Sequence, residues 1–162
     1  MANLYAVDYT KRFVTVPAKL TDVAAQGGRM RVLYDTYTVV TASAQNDVVY
    51  FGRIPGGSKV WEVVLQTSAT LGSSATIDVG WQAVSATATA ANTDLDGWHD
   101  GISGETALSF WTVGGASTAS GNKGIAIAPT AIPDEADVVA TLLGVDPNAG
   151  VVISCIVNYS ID

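Results

Sequence analysis

The sequence predicts an all-β protein: a jelly-roll-like β-sandwich of about eight strands, preceded by an extended N-terminal arm. Three observations carry that expectation. Apolar residues alternate with polar ones at a period of two along most of the chain. Clusters of Gly, Pro, Asn and Asp interrupt the alternation at short, fairly even intervals, which is the spacing of sandwich strands and their turns. Outside the first 28 residues no stretch sustains a helical period. The length, 162 residues, suits one such domain, and a domain of that size buries roughly 70% of its unfolded surface without needing staples.

Residues 1–28, MANLYAVDYTKRFVTVPAKLTDVAAQGG, mix aromatics, a proline and a closing Gly-Gly, with only a short alternation from Phe13 to Val16. They read as an arm or an edge strand, and residues 29–162 as the sandwich. RVLYDTYTVVTAS is the first full strand candidate, and Gln45-Asn46-Asp47 turns it into DVVYFGRI. That strand stops at Ile54. Pro55 removes a backbone donor and Gly56-Gly57 permit a tight reversal, so KVWEVVLQ starts at Lys59 as though the chain were passing between sheets. Gly72-Ser73-Ser74 then leads into SATIDVGWQ.

The Ala/Thr stretch SATATAANT reads as a long flexible loop or an outer edge strand, and the polar segment DLDGWHDGISGE as a loop with one helical turn at most. ALSFWTVG, GIAIAP, ADVVATLLGV and GVVISCIVNYSI complete the strands. Alternation assigns Trp61, Val63, Leu65, Ile77, Val79, Trp81, Val151, Ile153 and Val157 to the core.

Charge is scarce and unevenly placed. Charged residues make up 14%, against ~25% in ordinary soluble proteins. Up to Arg31 there are five basic side chains and two acidic ones, net +3; the remaining 131 residues hold three and thirteen, net −10, and together they make −7. Such a division predicts an arm that lies on an acidic surface, in a sister subunit or a larger assembly. It argues against nucleic acid, because an acidic body repels phosphate and five basic residues over 31 positions form no dense patch. No run of 18 apolar residues exists to span a membrane. No basic-then-apolar signal opens the chain, which predicts use without secretion by the general pathway.

Motifs for chemistry are weak. Asp94, Asp96, Asp100 and Glu105 match positions 1, 3, 7 and 12 of a calcium loop, but Trp98 replaces the donor at position 5 and His99 the glycine at position 6. A different cation site using some of these carboxylates stays open at this stage. So does a sugar site, with Trp98 stacking beside Asp96, His99 and Asp100. The single cysteine, Cys155, sits on the apolar side of its strand, where it reads as a small buried hydrophobe. No G-x-S-x-G, phosphate loop or metal-ligand spacing is present. The expectation is no enzyme, no cofactor and no metal.

Across RIPGGSKVWEVVLQTSATLGSSATIDVGWQ the chain resembles a pattern that recurs in tailed-bacteriophage virion proteins. Ile54, Pro55 and Gly56 match its strand-ending corner, Val60, Val63 and Leu65 the strand that follows, and Gly72, Ala75, Thr76, Val79, Gly80 and Trp81 its closing hairpin. Proteins of this look are often capsid decoration, or cement, proteins. The resemblance therefore implies a jelly roll without catalytic residues, a homotrimer on the outer surface of the head, and the major capsid protein as partner. It also implies a task for the basic, aromatic arm. Tyr5, Tyr9, Lys11, Arg12, Phe13, Lys19, Arg29 and Arg31 would grip the capsid or a neighbouring subunit. Related modules occur in head fibres and tails, so the alternative is a carbohydrate- or receptor-binding module of a fibre.

Overall fold

The structure, a computed structural model, describes residues 3–6, 9–14, 30–84, 93–105, 110–113, 132 and 134–161. Nine strands occur among them: β1 (Asn3–Tyr5), β2 (Met30–Thr38), β3 (Val48–Ile54), β4 (Lys59–Thr67), β5 (Thr76–Ala83), β6 (Asp94–Ser103), β7 (Phe110–Val113), β8 (Ala136–Leu143) and β9 (Val152–Ser160). A single π turn, Thr10–Val14, follows β1. The predicted strand GIAIAP and the stretch 85–92 lie outside the described residues.

Pairing is nested: β2 with β9, β3 with β8, β4 with β7 and β5 with β6, all antiparallel. Two further ladders, β4 with β9 and β5 with β8, close the layers as β2-β9-β4-β7 and β1-β3-β8-β5-β6. Eight strands paired first to last and rolled into two sheets are a jelly roll. β1 is an addition, joined parallel to the outside of β3. The Pro55-Gly56-Gly57 corner does what its residues suggest, since β3 ends in one sheet and β4 begins in the other. Gly57 takes a φ of 79°, open to glycine at no steric cost.

The core lies between the layers. Val63 and Leu65 of β4 and Ile153, Cys155 and Val157 of β9 are fully buried from one side, as are Ile77 and Val79 of β5 and Leu142 of β8 from the other. Each such aliphatic side chain contributes about 1.5–3 kcal/mol by leaving water. Gly52 of β3 leaves room for the Leu33 side chain of β2: a Cβ there would lie 2.7 Å from Leu33 Cδ1.

Two expectations are corrected. Trp61 is 46% exposed, because the ladder with β9 slips between Val60 and Glu62. That bulge inverts the alternation upstream of it, so Val60 takes the inward place expected of Trp61. The segment 94–103 is a strand, not a loop. It pairs with β5 through two register shifts, and at Gly80 a Cβ would collide with the Asp94 carbonyl. Backbone this close needs glycine. The aspartates that suggested a loop instead mark an edge strand, where charge and irregular pairing discourage further strand addition. Trp81 is partly buried against the core, with its ring 5.3 Å from that of Trp98.

Candidate assembly surfaces

The N-terminal segment is built onto its own sandwich. Asn3, Leu4 and Tyr5 run beside Val48, Val49 and Tyr50. The Ala6 N–H donates to the Tyr50 carbonyl (2.6 Å), and the Thr10 N–H donates back to Ala6 (2.9 Å) to begin the π turn. This places Tyr9 against Tyr5, Tyr50 and Phe13, with ring centroids 5.2, 5.4 and 4.9 Å away. Tyr9 then ties the two sheets together. Its backbone N–H donates to Asp35 Oδ2 on β2 (3.1 Å), and its hydroxyl donates to Asp137 Oδ2 on β8 (2.9 Å).

Asp137 is held from the other side by Arg53 on the neighbouring strand, through Nε (2.7 Å) and Nη2 (3.2 Å). The fork geometry and the burial of Asp137 make this pair well oriented. The Arg53 guanidinium also lies 4.2 Å from the centroid of the Phe13 ring, a cation–π contact that fastens the far end of the turn. Burial, then the hydrogen bond to Asp137 and its negative charge, push the Tyr9 phenol up to about 12. Burial likewise raises Tyr50, whose hydroxyl donates to Gln82 Oε1 at 2.5 Å.

The residues expected to grip a partner are thus distributed unevenly. Tyr9 is buried within its own chain, while Tyr5 and Phe13 stay partly exposed beside it. Lys11 is half-buried on the π turn and Arg12 occupies the same turn. Arg31 lies on β2, half-buried opposite Tyr159. Lys19 and Arg29 fall outside the described residues. Sequence reasoning missed Asp35, Tyr50, Arg53, Gln82 and Asp137. One signal was available: Asp137 interrupts the apolar strand ADVVATLL, and a carboxylate in such a run calls for a buried partner.

A second surface is apolar. On the outward face of β2, Met30, Val32 and Tyr34 are 56%, 49% and 56% exposed. Tyr34 continues across the sheet through Ile156 to Val64, and Met30 pairs with Ser160, whose hydroxyl accepts the Trp61 indole N–H at 2.9 Å. Glu62 is the one carboxylate among the described outward residues of β2, β9 and β4, and Asn158 donates to it at 2.6 Å. β2 forms the edge of its sheet and holds nine consecutive pairs without a bulge.

The chemistry left open by the sequence finds little support in this geometry. Trp98 is buried and presents no ring face to a sugar. Among the described residues no three His, Cys, Asp or Glu side chains come together as metal ligands. Burial drives the Cys155 thiol far up, with Asp35 adding to the effect, which leaves no thiolate for nucleophilic work. His99 is buried, its Nδ1 has no partner among the described residues, and burial lowers its pKa against the opposing pull of Asp100 and Asp78. No helix among the described residues is long and apolar enough to cross a membrane.

Neither a family model nor a curated protein matches the sequence. Solved structures do match the fold. A chain of the structure described as the capsid of Ralstonia phage GP4 aligns over 99% of this chain and 99% of its own length, with a TM-score of 0.67 at 20% identity. A chain of the acidic stable capsid structure of Helicobacter pylori bacteriophage KHP30 aligns over 83% of this chain and 89% of its own, with a TM-score of 0.52 at 14% identity.

Proposed function

We propose that this chain is a non-enzymatic structural protein of a tailed-phage virion, a decoration protein that binds the outer surface of the head and bridges capsid subunits, working as a homotrimer. The observation that carries the reading is the end-to-end correspondence of fold with a chain from a phage capsid, covering 99% of both. The apolar face of β2 and Trp61 supports it. A contiguous greasy strip of this kind, rimmed by polar residues, marks a protein contact more often than free surface. The division of charge supports it too, since a basic N-terminal segment and an acidic body favour contact between unlike surfaces. Mechanically, each copy contributes a modest contact, and many copies on one shell sum by multivalency against the pressure of packaged DNA.

The test is reconstitution. Heads assembled from the cognate major capsid protein are heated with and without this protein, and release of DNA or loss of intact particles is followed. A decoration protein raises the temperature of head rupture and saturates at a fixed number of copies per shell. Unchanged rupture with no saturable binding overturns the reading.

A further inference from the structure

Among the described residues the two sheets end in four strands, β1, β6, β2 and β7. Three of these edges are protected. β1 is three residues long and β7 four, while β6 carries aspartates and two register shifts. Short, charged or irregular edges resist pairing with another chain. β2 differs: it is nine residues long, its ladder with β9 has no bulge, and Met30, Val32 and Tyr34 stand exposed on its outer face. We infer that residues 30–34 of this edge are where a second copy of the chain docks, its own β2 running antiparallel, so that two four-stranded sheets become one across a two-fold axis.

The direction of the backbone groups follows from the ladder. Just beyond β2, the Val39 N–H donates to the Val151 carbonyl (2.8 Å) and the Val39 carbonyl accepts from the Gly150 N–H (2.8 Å). Val39 therefore bonds on the β9 side, and successive residues of a strand alternate sides. Counting back through an unbroken register, Arg31, Leu33, Asp35 and Tyr37 bond to β9. Met30, Val32, Tyr34 and Thr36 turn their N–H and C=O groups away from the sheet. Thr36 agrees with that parity, since its N–H donates to the Asp35 carboxylate at 2.8 Å. Asp35 is buried and also accepts from the Tyr9 N–H (3.1 Å). An inward carboxylate of this kind guards an edge, and its reach ends at Thr36.

Register selects the occupant. Centred on Val32, self-pairing sets Val32 opposite the partner's Val32 and Met30 opposite the partner's Tyr34. Each pair then exchanges both of its backbone hydrogen bonds. The thioether meets an aromatic ring, a favourable contact, and none of the three outer side chains is charged. A register centred on Arg31 would place like charges directly opposite each other. One centred on Leu33 would call on the Thr36 N–H, which Asp35 already holds. The Val32-centred register uses every outward group of residues 30–34 and none that is taken. A contact so self-complementary is isologous and closes on itself, which favours a second copy over an unrelated strand. It adds a two-fold contact to the homotrimer proposed above and does not depend on it.

Sedimentation of the full chain over a concentration series tests the association, and disulfide trapping tests the register. Wild type should reach at least twice the mass of Val32→Lys, whose self-association should be weaker by roughly tenfold or more. Val32→Pro should behave like Val32→Lys. Its missing N–H points away from β9, so the internal ladder survives. Opposed residues of a hydrogen-bonded pair lie about 5.5 Å apart at Cα, within disulfide reach. Under mild oxidation Val32→Cys should therefore form covalent dimers and Thr38→Cys should not, with the buried Cys155 silent in both. Met30→Cys should crosslink only when mixed with Tyr34→Cys. A threefold mass shared by wild type and both Val32 variants would sink the two-fold contact and leave the trimer standing. A monomer that dimerises through Val32 would do the reverse. Trapping at Thr38→Cys as efficient as at Val32→Cys would also overturn the inference.

Discussion

Removing the Tyr9 hydroxyl isolates the contact that ties the two sheets. In Tyr9→Phe the ring contacts with Tyr5, Tyr50 and Phe13 persist, and so does the backbone bond to Asp35. The bond to Asp137 Oδ2 is lost, and with it the longer one that the hydroxyl accepts from Arg53 Nη2 (3.4 Å). A hydrogen bond to a charged group contributes about 1.5–3 kcal/mol. Asp137 keeps two bonds from Arg53, so no buried carboxylate is orphaned, and the loss falls at the lower end, about 1.5 kcal/mol. In a chain of this length that lowers the melting temperature by roughly 3–6 °C.

The variant also carries a pH signature. The folded Tyr9 phenol titrates at about 12, above its ordinary value of 10.0. Its contribution is therefore complete below pH 10 and fades as the pH rises towards 12, while the unfolded state gives up its proton first. Wild type and Tyr9→Phe should converge in stability across that window, as measured by urea titration at each pH. Equal stability at pH 7, or a gap that stays constant from pH 9 to 12, would refute the role given to Tyr9.

Other substitutions probe the remaining elements. His99→Gln should remove an acid-side loss: the folded His99 pKa is lowered, so wild type loses stability as pH falls below about 6.5 and the unfolded chain takes up the proton first. Thermal melts of both proteins from pH 8 to 5.5 read this difference directly. Gly80→Ala drives a methyl into the backbone of β6 and should cost about 1–3 kcal/mol by chemical denaturation, with amide exchange rising along β6 first. The double variant Val32→Ser and Trp61→Ser changes only exposed side chains. Its stability should stay within about 0.5 kcal/mol per site, while its attachment to heads weakens.

Most strands could be read from alternation alone, because a jelly-roll strand with one buried face shows a clean period of two. The last strand illustrates this: Val151, Ile153, Cys155, Val157 and Tyr159 are all buried, as their spacing implies. Alternation fails where the ladder slips. One extra residue at Trp61 moved a tryptophan from core to surface, and nothing in KVWEVVLQ signals a bulge. β6 was hidden for a different reason. Its Asp and Gly content is the vocabulary of loops, yet here glycines admit close backbone approach and aspartates protect an edge. The Tyr9 contacts were out of reach, since Asp35 and Asp137 lie 26 and 128 residues away. Local patterns carry no information about which distant carboxylate a phenol will find.

Cryo-electron microscopy of heads reconstituted with this protein tests the central proposal most directly. Jelly-roll density is expected on the outer surface of the shell, straddling the seams between capsid subunits in threefold groups, with the Met30, Val32, Tyr34 and Trp61 face against protein. Density confined to the tail or a fibre, or shells that remain bare at saturating protein, would contradict it.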